Sequence, residues 1–483
     1  MFVPLDRFAP DADPTTPGVI TACSNIIHTK KGYRSAYSGS TIALPALAAA
    51  CRGAASLEKS DGSNRLFAGT QTKLYQAGST SWTDVSKAGD YTGSSTSKWR
   101  FCQFGDVTIA VNKTDATQYI DSGADFADLS GAPKASICES VLGFVFLLGT
   151  NDGTYGDQPD RWWCSALENY TAWTPSIATQ SATNRLYDTP GPITAGRRLG
   201  DYLAVFKKRA IYLGQYVGPD QIWRWPLITD RVGAVNQEAS VSLEEFVLFM
   251  GDDGFWVFDG ASVRPIDDDI REWFFTEELD TSAKTDVRAL HDADKKIVYW
   301  HYQRRGTSGL TAWVAYNYQT GRWGNGTLTI ECPIEYLSSS ITYDDLGTLY
   351  STYDDLPDIP YDSNFWLGGA RNPAYFDSSH RINLWVGDSG SSSLTTGDFG
   401  QDDDYTFIER VRPRFLTTPT TATMTNYYRN DIGGSLTTDT TTTIGNRRFD
   451  FMREAIWHRA KLDFTGNMAI TGLDVQTGMG SDE

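Results

Sequence analysis

The chain has 483 residues, of which 40% are hydrophobic and 21% are charged, a balance typical of a globular protein with a sizeable core. Its formal net charge of −18 argues against a surface that grips nucleic acid, because such a surface needs clustered lysine and arginine. A surface along which DNA slides is not excluded, although an acidic surface that serves solubility is the simpler explanation.

Aromatic residues make up 13% of the chain and 44 residues are glycine, which favours many strands joined by tight turns. The pattern predicts at most one short helix, within residues 267–278. The longest apolar run, Val141 to Leu148, is much shorter than the roughly 20 residues of a membrane-spanning helix. The N-terminus lacks the basic and apolar regions of a secretory signal. We therefore expect synthesis in a cytoplasm and no stable membrane insertion.

Residues 1–56 are predicted to form an extended arm. Pro4, Pro10, Pro14 and Pro17 interrupt any regular element, and the residues before proline favour extended backbone. Such an arm packs on its own domain or on a neighbouring subunit.

The clearest local signal is the stretch from Phe246 to Gly260. Two apolar runs flank the sequence from Gly251 to Gly254, which predicts a β-hairpin. Neither run alternates with polar residues, so both faces of the hairpin are expected to be covered. The hairpin is predicted to supply the inner strands of a blade, with Asp252 and Asp253 at a solvated turn.

Weaker copies of this hairpin recur through residues 57–327 at spacings of roughly 40–50 residues, each with turn residues between aromatic-rich strands. Examples of the paired segments are Arg65–Ala68 with Lys73–Gln76, and Tyr202–Phe206 with Ala210–Leu213. Even spacing of this kind favours an all-β fold, a β-propeller of six or seven blades, over a β-sandwich of the same length.

The remaining chain has a different composition and a different pattern of apolar residues. Residues 328–404 contain paired aspartates, prolines and a Ser/Gly-rich run, which predicts a loop-rich excursion or the last blade. Strand patterns resume in residues 405–483, which predicts a small C-terminal β-domain.

No catalytic, cofactor-binding or metal-binding residues are assigned from the sequence, and we expect a protein that is not an enzyme and needs no cofactor. The histidines lack metal-ligand spacing, and the acidic runs are typical of solvated loops. A calcium loop is represented only by the fragment Asn151–Gly153. The six cysteines have no CxxC pair, so reduced and mostly buried thiols are expected. These histidines, acidic runs and cysteines are His28, His291, His301, His380, His458, Asp267–Asp269, Glu277–Glu278, Asp402–Asp404, Cys23, Cys51, Cys102, Cys138, Cys164 and Cys332.

A series of short motifs follows in order along the chain: Leu66–Gly69, Trp99–Asp106, Ala132–Pro133, Trp162–Ala166, Leu199–Lys207 and Gly251–Phe255. Taken in this order, the motifs resemble those of the tail nozzle or tail tubular proteins of short-tailed bacteriophages, a family that includes packaged-DNA stabilisation proteins. The arm from Pro10 to Gly18 and the segment from Gly472 to Val475 are similar to the two ends of that family.

The resemblance implies a structural virion protein whose six copies form a ring below the portal and adaptor. Such a ring retains the packaged genome and conducts DNA during ejection, without sequence-specific binding. Its implied partners are the portal and adaptor proteins, tail fibre or spike proteins, and genomic DNA passing through the channel. The implied location is the virion tail, after synthesis in the host cytoplasm. The alternative is a propeller glycosidase or a tail protein that binds host polysaccharide.

Overall fold

The computed structural model describes residues 1–243, 245–337, 356, 371–401 and 404–478. Seven consecutive units of β-strands follow one another around an axis, and their innermost strands contact each other in a closed ring. Six units are separate sheets, whereas the four strands between Arg288 and Ile330 begin a larger, ten-stranded sheet. The fold is a β-propeller, as predicted.

The blades are numbered in chain order, and their strands are given from the axis outward. Blade 1 consists of Gly53–Glu58, Asn64–Gly69, Leu74–Ala77 and Trp82–Asp84. Blade 2 consists of Arg100–Phe104, Val107–Val111, Gln118–Ile120 and Ala127–Asp128. Blade 3 consists of Lys134–Val141, Phe144–Asp152, Gly156–Cys164 and Ala182–Arg185. Blade 4 consists of Ile193–Leu199, Tyr202–Lys207, Ile211–Gly218 and Ile222–Arg224, and Leu227–Thr229 also pairs with its third strand. Blade 5 consists of Ser240–Ser242, Val247–Met250, Phe255–Phe258 and Val263–Pro265. Blades 6 and 7 consist of Arg288–Asp292, Ile297–Tyr302, Leu310–Asn317 and Arg322–Ile330; and Cys332–Leu337, Arg371–Phe376, Ile382–Gly387 and Ser38–Thr41.

The second strands of the blades are the most apolar, because neighbouring blades cover both of their faces. Every residue of Val247–Met250 and of Ile297–Tyr302 is buried. The hairpin predicted at 246–260 supplies the second and third strands of blade 5, and Ser240–Ser242 is the innermost strand. Asp252 lies in an ion-paired turn, 3.2 Å from Lys284 and 3.4 Å from Lys208.

A short helical connection joins blades 5 and 6, within and just after the segment where a helix is predicted. One α-helical turn, Arg271–Trp273, continues into the π-helix Phe274–Glu278, and a 3-10 helix follows at Thr281–Asp286. The Asp280 side chain accepts a hydrogen bond from the Ser282 backbone N–H and caps the 3-10 helix.

Both ends of the chain combine in a second module, which we call the terminal sandwich. Its two sheets share one apolar core, and Arg7–Phe8 with Val19–Ser24 is the only parallel pairing among the described strands. The first sheet contains Arg7–Phe8, Val19–Ser24, Ser391–Thr396, Phe399–Gly400, Trp457–Thr465, Thr421–Arg429 and Thr437–Thr443. The second sheet continues blade 6 and contains Ile26–Thr29, Gly32–Ser35, Ala469–Gly478, Phe2–Pro4, Thr406–Thr417 and Phe449–Ala455.

The arm is therefore incorporated into both modules. Its first strands build the terminal sandwich, and Ser38–Thr41 pairs with Ile382–Gly387 to complete blade 7. The propeller extends beyond both ends of the predicted range 57–327, from Gly53 to Gly387. Residues 338–355 and 357–370 of the predicted excursion, and Asp402 and Asp403, lie outside the described residues.

The six cysteines are all free and buried, as expected. Within the described part of the chain, no helix has the length and apolar character needed to cross a membrane.

Candidate functional site

The axis of the propeller contains a cavity of about 410 Å³, lined by the innermost strands of all seven blades or by the residues just before them. This volume is typical of small-molecule pockets, which measure roughly 300–1,000 Å³. Eight charged residues line the wall. Its charged residues are Arg52, Arg100, Arg197, Arg198, Arg288, Glu139, Glu238 and Glu335.

One ion pair spans the axis, and we call it the axial ion pair. Arg100 in blade 2 donates from Nε to Glu238 Oε1 at 2.6 Å and from Nη2 to Oε2 at 3.0 Å. Glu238 lies just before the innermost strand of blade 5, which is not a neighbour of blade 2 in the ring. Arg100 also donates from Nη1 to the Ser136 carbonyl in blade 3, at 2.6 Å. The pair therefore connects non-adjacent blades and obstructs the axis.

Lys98 extends this network towards blade 6. Its Nζ lies 3.1 Å from Asp286 Oδ1 and 3.7 Å from Glu238 Oε2, and donates to the Thr285 carbonyl at 3.2 Å. Burial alone would raise the pKa of Glu238, but the charges of Arg100 and Lys98 hold it well below its ordinary value. Glu238 is therefore ionised across the physiological pH range.

A second group of charges surrounds Arg197 in blade 4. Arg197 donates from Nε to Ser240 Oγ at 3.0 Å and from Nη2 to the Gln237 carbonyl at 2.7 Å. Burial lowers the pKa of Arg197, although nearby carboxylates, Glu139 first, oppose the shift. Burial raises the pKa values of Glu139 and Glu335, against the charges of Arg197 and other arginines. The carboxyl groups here are only partly compensated.

Amide side chains join neighbouring blades close to the axis. Gln237 accepts from the Gly196 N–H at 2.7 Å and donates to the Gly196 carbonyl at 2.9 Å, which links blades 5 and 4. Asn236 donates to the carbonyls of Thr285 at 2.6 Å and Val287 at 3.0 Å, which links blade 5 to the entrance of blade 6. Buried polar groups near the axis thus form directional contacts between blades.

Arg288, in blade 6, lies beside the seam between blades 7 and 1. It is 8% exposed, and its Nε has no hydrogen-bond partner among the described residues. A hydrogen bond with Cys51 and the charge of Arg288 lower the pKa of the Cys332 thiol to about 7, against the effect of burial. Cys51 and Cys332 are both buried.

The histidines considered from the sequence lie in separate parts of the fold. Burial lowers the pKa of His28 and of His291 to about 4, and that of His301 to about 3. His380 Nδ1 lies 2.6 Å from Glu331 Oε1, and His458 lies in the terminal sandwich. Within the described residues, no group of three or more histidine, cysteine, aspartate or glutamate residues is arranged to hold a metal ion.

The acidic runs hold the fold together locally. Asp267 is fully buried and accepts hydrogen bonds from the Phe255 N–H at 2.9 Å and from Arg271. Asp269 pairs with Arg7 of the arm at 3.0 Å, and Glu278 pairs with Arg304 at 2.7 Å. Asp152, in the candidate calcium fragment, accepts from the N–H groups of Thr154 and Tyr155 and caps its own turn.

The charged residues of the axis were not anticipated from the sequence. A signal for them exists, since a charged residue interrupts or precedes the innermost strand of each blade. The series is Arg52, Arg100, Glu139, Arg197, Glu238, Arg288 and Glu335. It recurs once per blade, and aligning the blades on their first strands would have revealed it.

No protein-family model matches the chain, and no curated protein matches its sequence. One similar solved structure is "YCF48 bound to D1 peptide", with a TM-score of 0.36 and 10% identity over 60% of this chain and 84% of that one. A likeness of this strength carries no argument about function.

Proposed function

We propose that the chain is a structural virion protein, the subunit of a hexameric tail nozzle that attaches below the portal and adaptor, retains the packaged genome and conducts DNA during ejection. The proposal begins from the ordered motifs that resemble the tail nozzle family. Three features of the molecule support it: the core shared by the two modules, the obstructed axis and the acidic composition.

The shared core is the observation that carries the proposal. One apolar cluster runs from blades 5 and 6 into the terminal sandwich. Phe8 of the arm packs edge-on against Trp273, with ring centroids 5.3 Å apart. Tyr33 accepts from the Phe8 N–H at 2.6 Å and donates to the Trp323 carbonyl at 3.3 Å. Propeller and sandwich therefore form one block with both chain ends built in, which suits a part that must resist the pressure of a packaged genome.

The obstructed axis determines where DNA would pass. The cavity measures about 410 Å³ and is crossed by the axial ion pair. A DNA duplex, whose major groove alone is about 12 Å wide, does not fit there. A conduit made from this chain must therefore run between copies, and six subunits joined by head-to-tail contacts would enclose it. The net charge of −18 would keep DNA from adhering to such a wall.

Assembly tests the proposal directly. We expect purified protein to join capsids that carry portal and adaptor, and electron microscopy to show six copies at the tail. Capsids without adaptor are the control and should bind none. If the protein fails to form a sixfold complex with adaptor-bearing capsids, the proposal is wrong.

A propeller glycosidase is the second candidate, favoured by two glutamates in the axial cavity. Burial raises the pKa values of Glu139 and Glu335, and a carboxylic acid with a raised pKa is what a general acid requires. Incubation with host polysaccharide separates the candidates. A nozzle releases no reducing ends, whereas an enzyme of this kind releases them and loses activity in both Glu139→Gln and Glu335→Gln.

A further inference from the structure

We infer that the axial cavity binds a small oxyanion, a phosphate, sulfate or carboxylate group, between the guanidinium groups of Arg288 and Arg52. This inference concerns the single chain, and it does not depend on the proposed role in a virion.

The charges of the cavity wall leave a positive excess. Five arginines and three glutamates line it, so 5 − 3 gives a formal charge of +2 in a chain whose net charge is −18. Both carboxylate oxygens of Glu238 are already bound by Arg100. Glu139 and Glu335 both interact with the charge of Arg197. The cavity is therefore an electropositive site inside an acidic protein.

Arg288 shows most directly that an acceptor is missing. Its side chain is more than nine-tenths buried, lines the cavity and has an Nε–H without a partner among the described residues. A guanidinium has five N–H donors, and a buried donor left without an acceptor is costly. Around Arg288 lie Glu238, which is bound by Arg100, and the thiols of Cys332 and Cys51; Arg288 forms a hydrogen bond with Cys332, and these groups raise the pKa of Arg288 against the effect of burial. They leave the Nε–H free.

Arg52 provides the second donor group. It precedes the innermost strand of blade 1, next to Cys51, whose thiol lies close to Arg288. Its backbone is fixed, because the N–H donates to the Gly69 carbonyl at 2.7 Å and the carbonyl accepts from the Trp99 N–H at 3.2 Å. No hydrogen bond or ion pair to a described residue engages its side chain, which is therefore available to a ligand. Planar guanidinium groups match the paired oxygens of oxyanions.

The cavity also has an approach for a solute. Arg198 belongs to the same wall and is exposed, which places one end of the cavity in contact with solvent. Its Nε donates to the Gly200 carbonyl at 2.9 Å, so it marks the entrance and is not assigned to the binding pair.

Binding of inorganic phosphate, sulfate and succinate to the full chain tests the inference, by titration calorimetry in chloride buffer of constant ionic strength. At least one of the three should bind saturably, and the order of affinities identifies the preferred oxyanion. Arg288→Met and Arg52→Gln should each weaken binding at least tenfold. The matched control is Arg224→Gln, which removes the same charge from an exposed position at the end of a strand in blade 4 and should leave binding unchanged.

The melting temperature provides a second test, which applies even if one variant folds poorly. In chloride alone, Arg288→Met should melt at or above the temperature of the original protein, because a buried N–H donor without an acceptor has been removed. Saturating phosphate should raise the melting temperature of the original protein but not that of the variant. If Arg288→Met does not fold, Arg52→Gln decides. The inference is overturned if no oxyanion binds saturably, if Arg52→Gln binds as well as the original protein, or if Arg224→Gln weakens binding equally.

Discussion

The axis of the propeller and the core shared with the terminal sandwich bring distant parts of the chain together by opposite means. At the axis, charged and amide side chains from different blades meet in hydrogen-bonded pairs. In the shared core, aromatic rings from blades 5 and 6 pack with the arm and the C-terminal strands. The first kind of contact is directional, and the second gains free energy in proportion to the apolar area it buries.

This difference indicates that the contacts that fix the arrangement of the blades are not the contacts that supply most of the stability. Ion pairs taken out of water regain little net free energy, because desolvation offsets their attraction. The Arg100 and Glu238 side chains remain 20% and 18% exposed, whereas Trp300 is completely buried. We therefore infer that the axis fixes which blades face one another and that the shared core supplies most of the stability of this half of the molecule.

Truncation in the shared core should have the largest effect. The Trp300 ring lies 4.8 Å from Phe255 and 5.9 Å from Trp323 between centroids, and its Nε1 donates to the Ala239 carbonyl at 3.0 Å. Trp300→Ala should lower the free energy of unfolding by about 3–5 kcal/mol, measured by urea denaturation. Tyr187→Ala is the control, since Tyr187 is 70% exposed and its loss should cost less than about 0.5 kcal/mol. A similar cost for both variants would contradict the assignment of stability to the core.

Removing one partner of the axial ion pair should have the next largest effect. Glu238→Gln removes the carboxylate that pairs with Arg100, whereas Lys98 keeps Asp286 at 3.1 Å. Because both members of the pair keep some exposure, we expect a loss of about 2–3 kcal/mol, below the range for fully buried pairs. Replacing both partners, as Arg100→Met with Glu238→Leu, should restore part of that loss. A double variant as unstable as the sum of the single ones would show that the pair is not coupled.

A surface pair with the same geometry provides a matched control. Arg414 donates to the two carboxylate oxygens of Asp474 at 2.7 and 2.8 Å, but the side chains are 53% and 40% exposed. Asp474→Asn should not change the unfolding midpoint measurably, because exposed pairs are screened by solvent. A clear loss in this variant would mean that pairing geometry, and not burial, determines the result for Glu238.

The sequence predicted the apolar strands of the shared core better than the charged residues of the axis. The apolar runs at Val247–Met250 and Ile297–Tyr302 mark second strands because those strands are covered on both faces. Short innermost strands such as Ser240–Ser242 contain few apolar residues and were not recognised. Local sequence patterns do not predict the axial ion pair, because Arg100 and Glu238 are brought together only when the ring closes.

The terminal sandwich shows a second reason why local patterns were insufficient. Ser38–Thr41 and Ser391–Thr396 consist mostly of serine, threonine and glycine, which have weak strand signals. Each has a partner hundreds of residues away in sequence: Ser38–Thr41 pairs with Ile382–Gly387, and Ser391–Thr396 pairs with Val19–Ser24. Their conformation is therefore set by tertiary pairing, and the sequence indicated only an extended arm for the first and a loop-rich excursion or last blade for the second.

Acid should destabilise the region between the core and the axis, with the smallest effect of the series. His301 is fully buried in blade 6 and lies opposite Arg288 on the adjacent strand, and neither ring nitrogen has a hydrogen-bond partner among the described residues. Burial lowers its pKa to about 3. The pKa of a histidine in the unfolded chain is near 6.5, so at lower pH the unfolded chain binds the proton more readily than the folded protein does. The free energy of unfolding therefore falls as pH decreases, by about 1.4 kcal/mol per pH unit once the unfolded histidine is protonated.

Urea unfolding of the original protein and of His301→Phe, between pH 7.5 and pH 5, isolates this contribution. The variant should lose less stability over that interval, with a difference of about 1–2 kcal/mol at pH 5. His28 and His291 have pKa values lowered to about 4 and act in the same direction, whereas the raised pKa values of Glu139 and Glu335 act in the opposite one. Both proteins carry these four groups, so their effects cancel in the comparison. If the stability of both proteins changes equally with pH, His301 is not buried as a neutral ring, and the region beside Arg288 is as accessible to water as the axis.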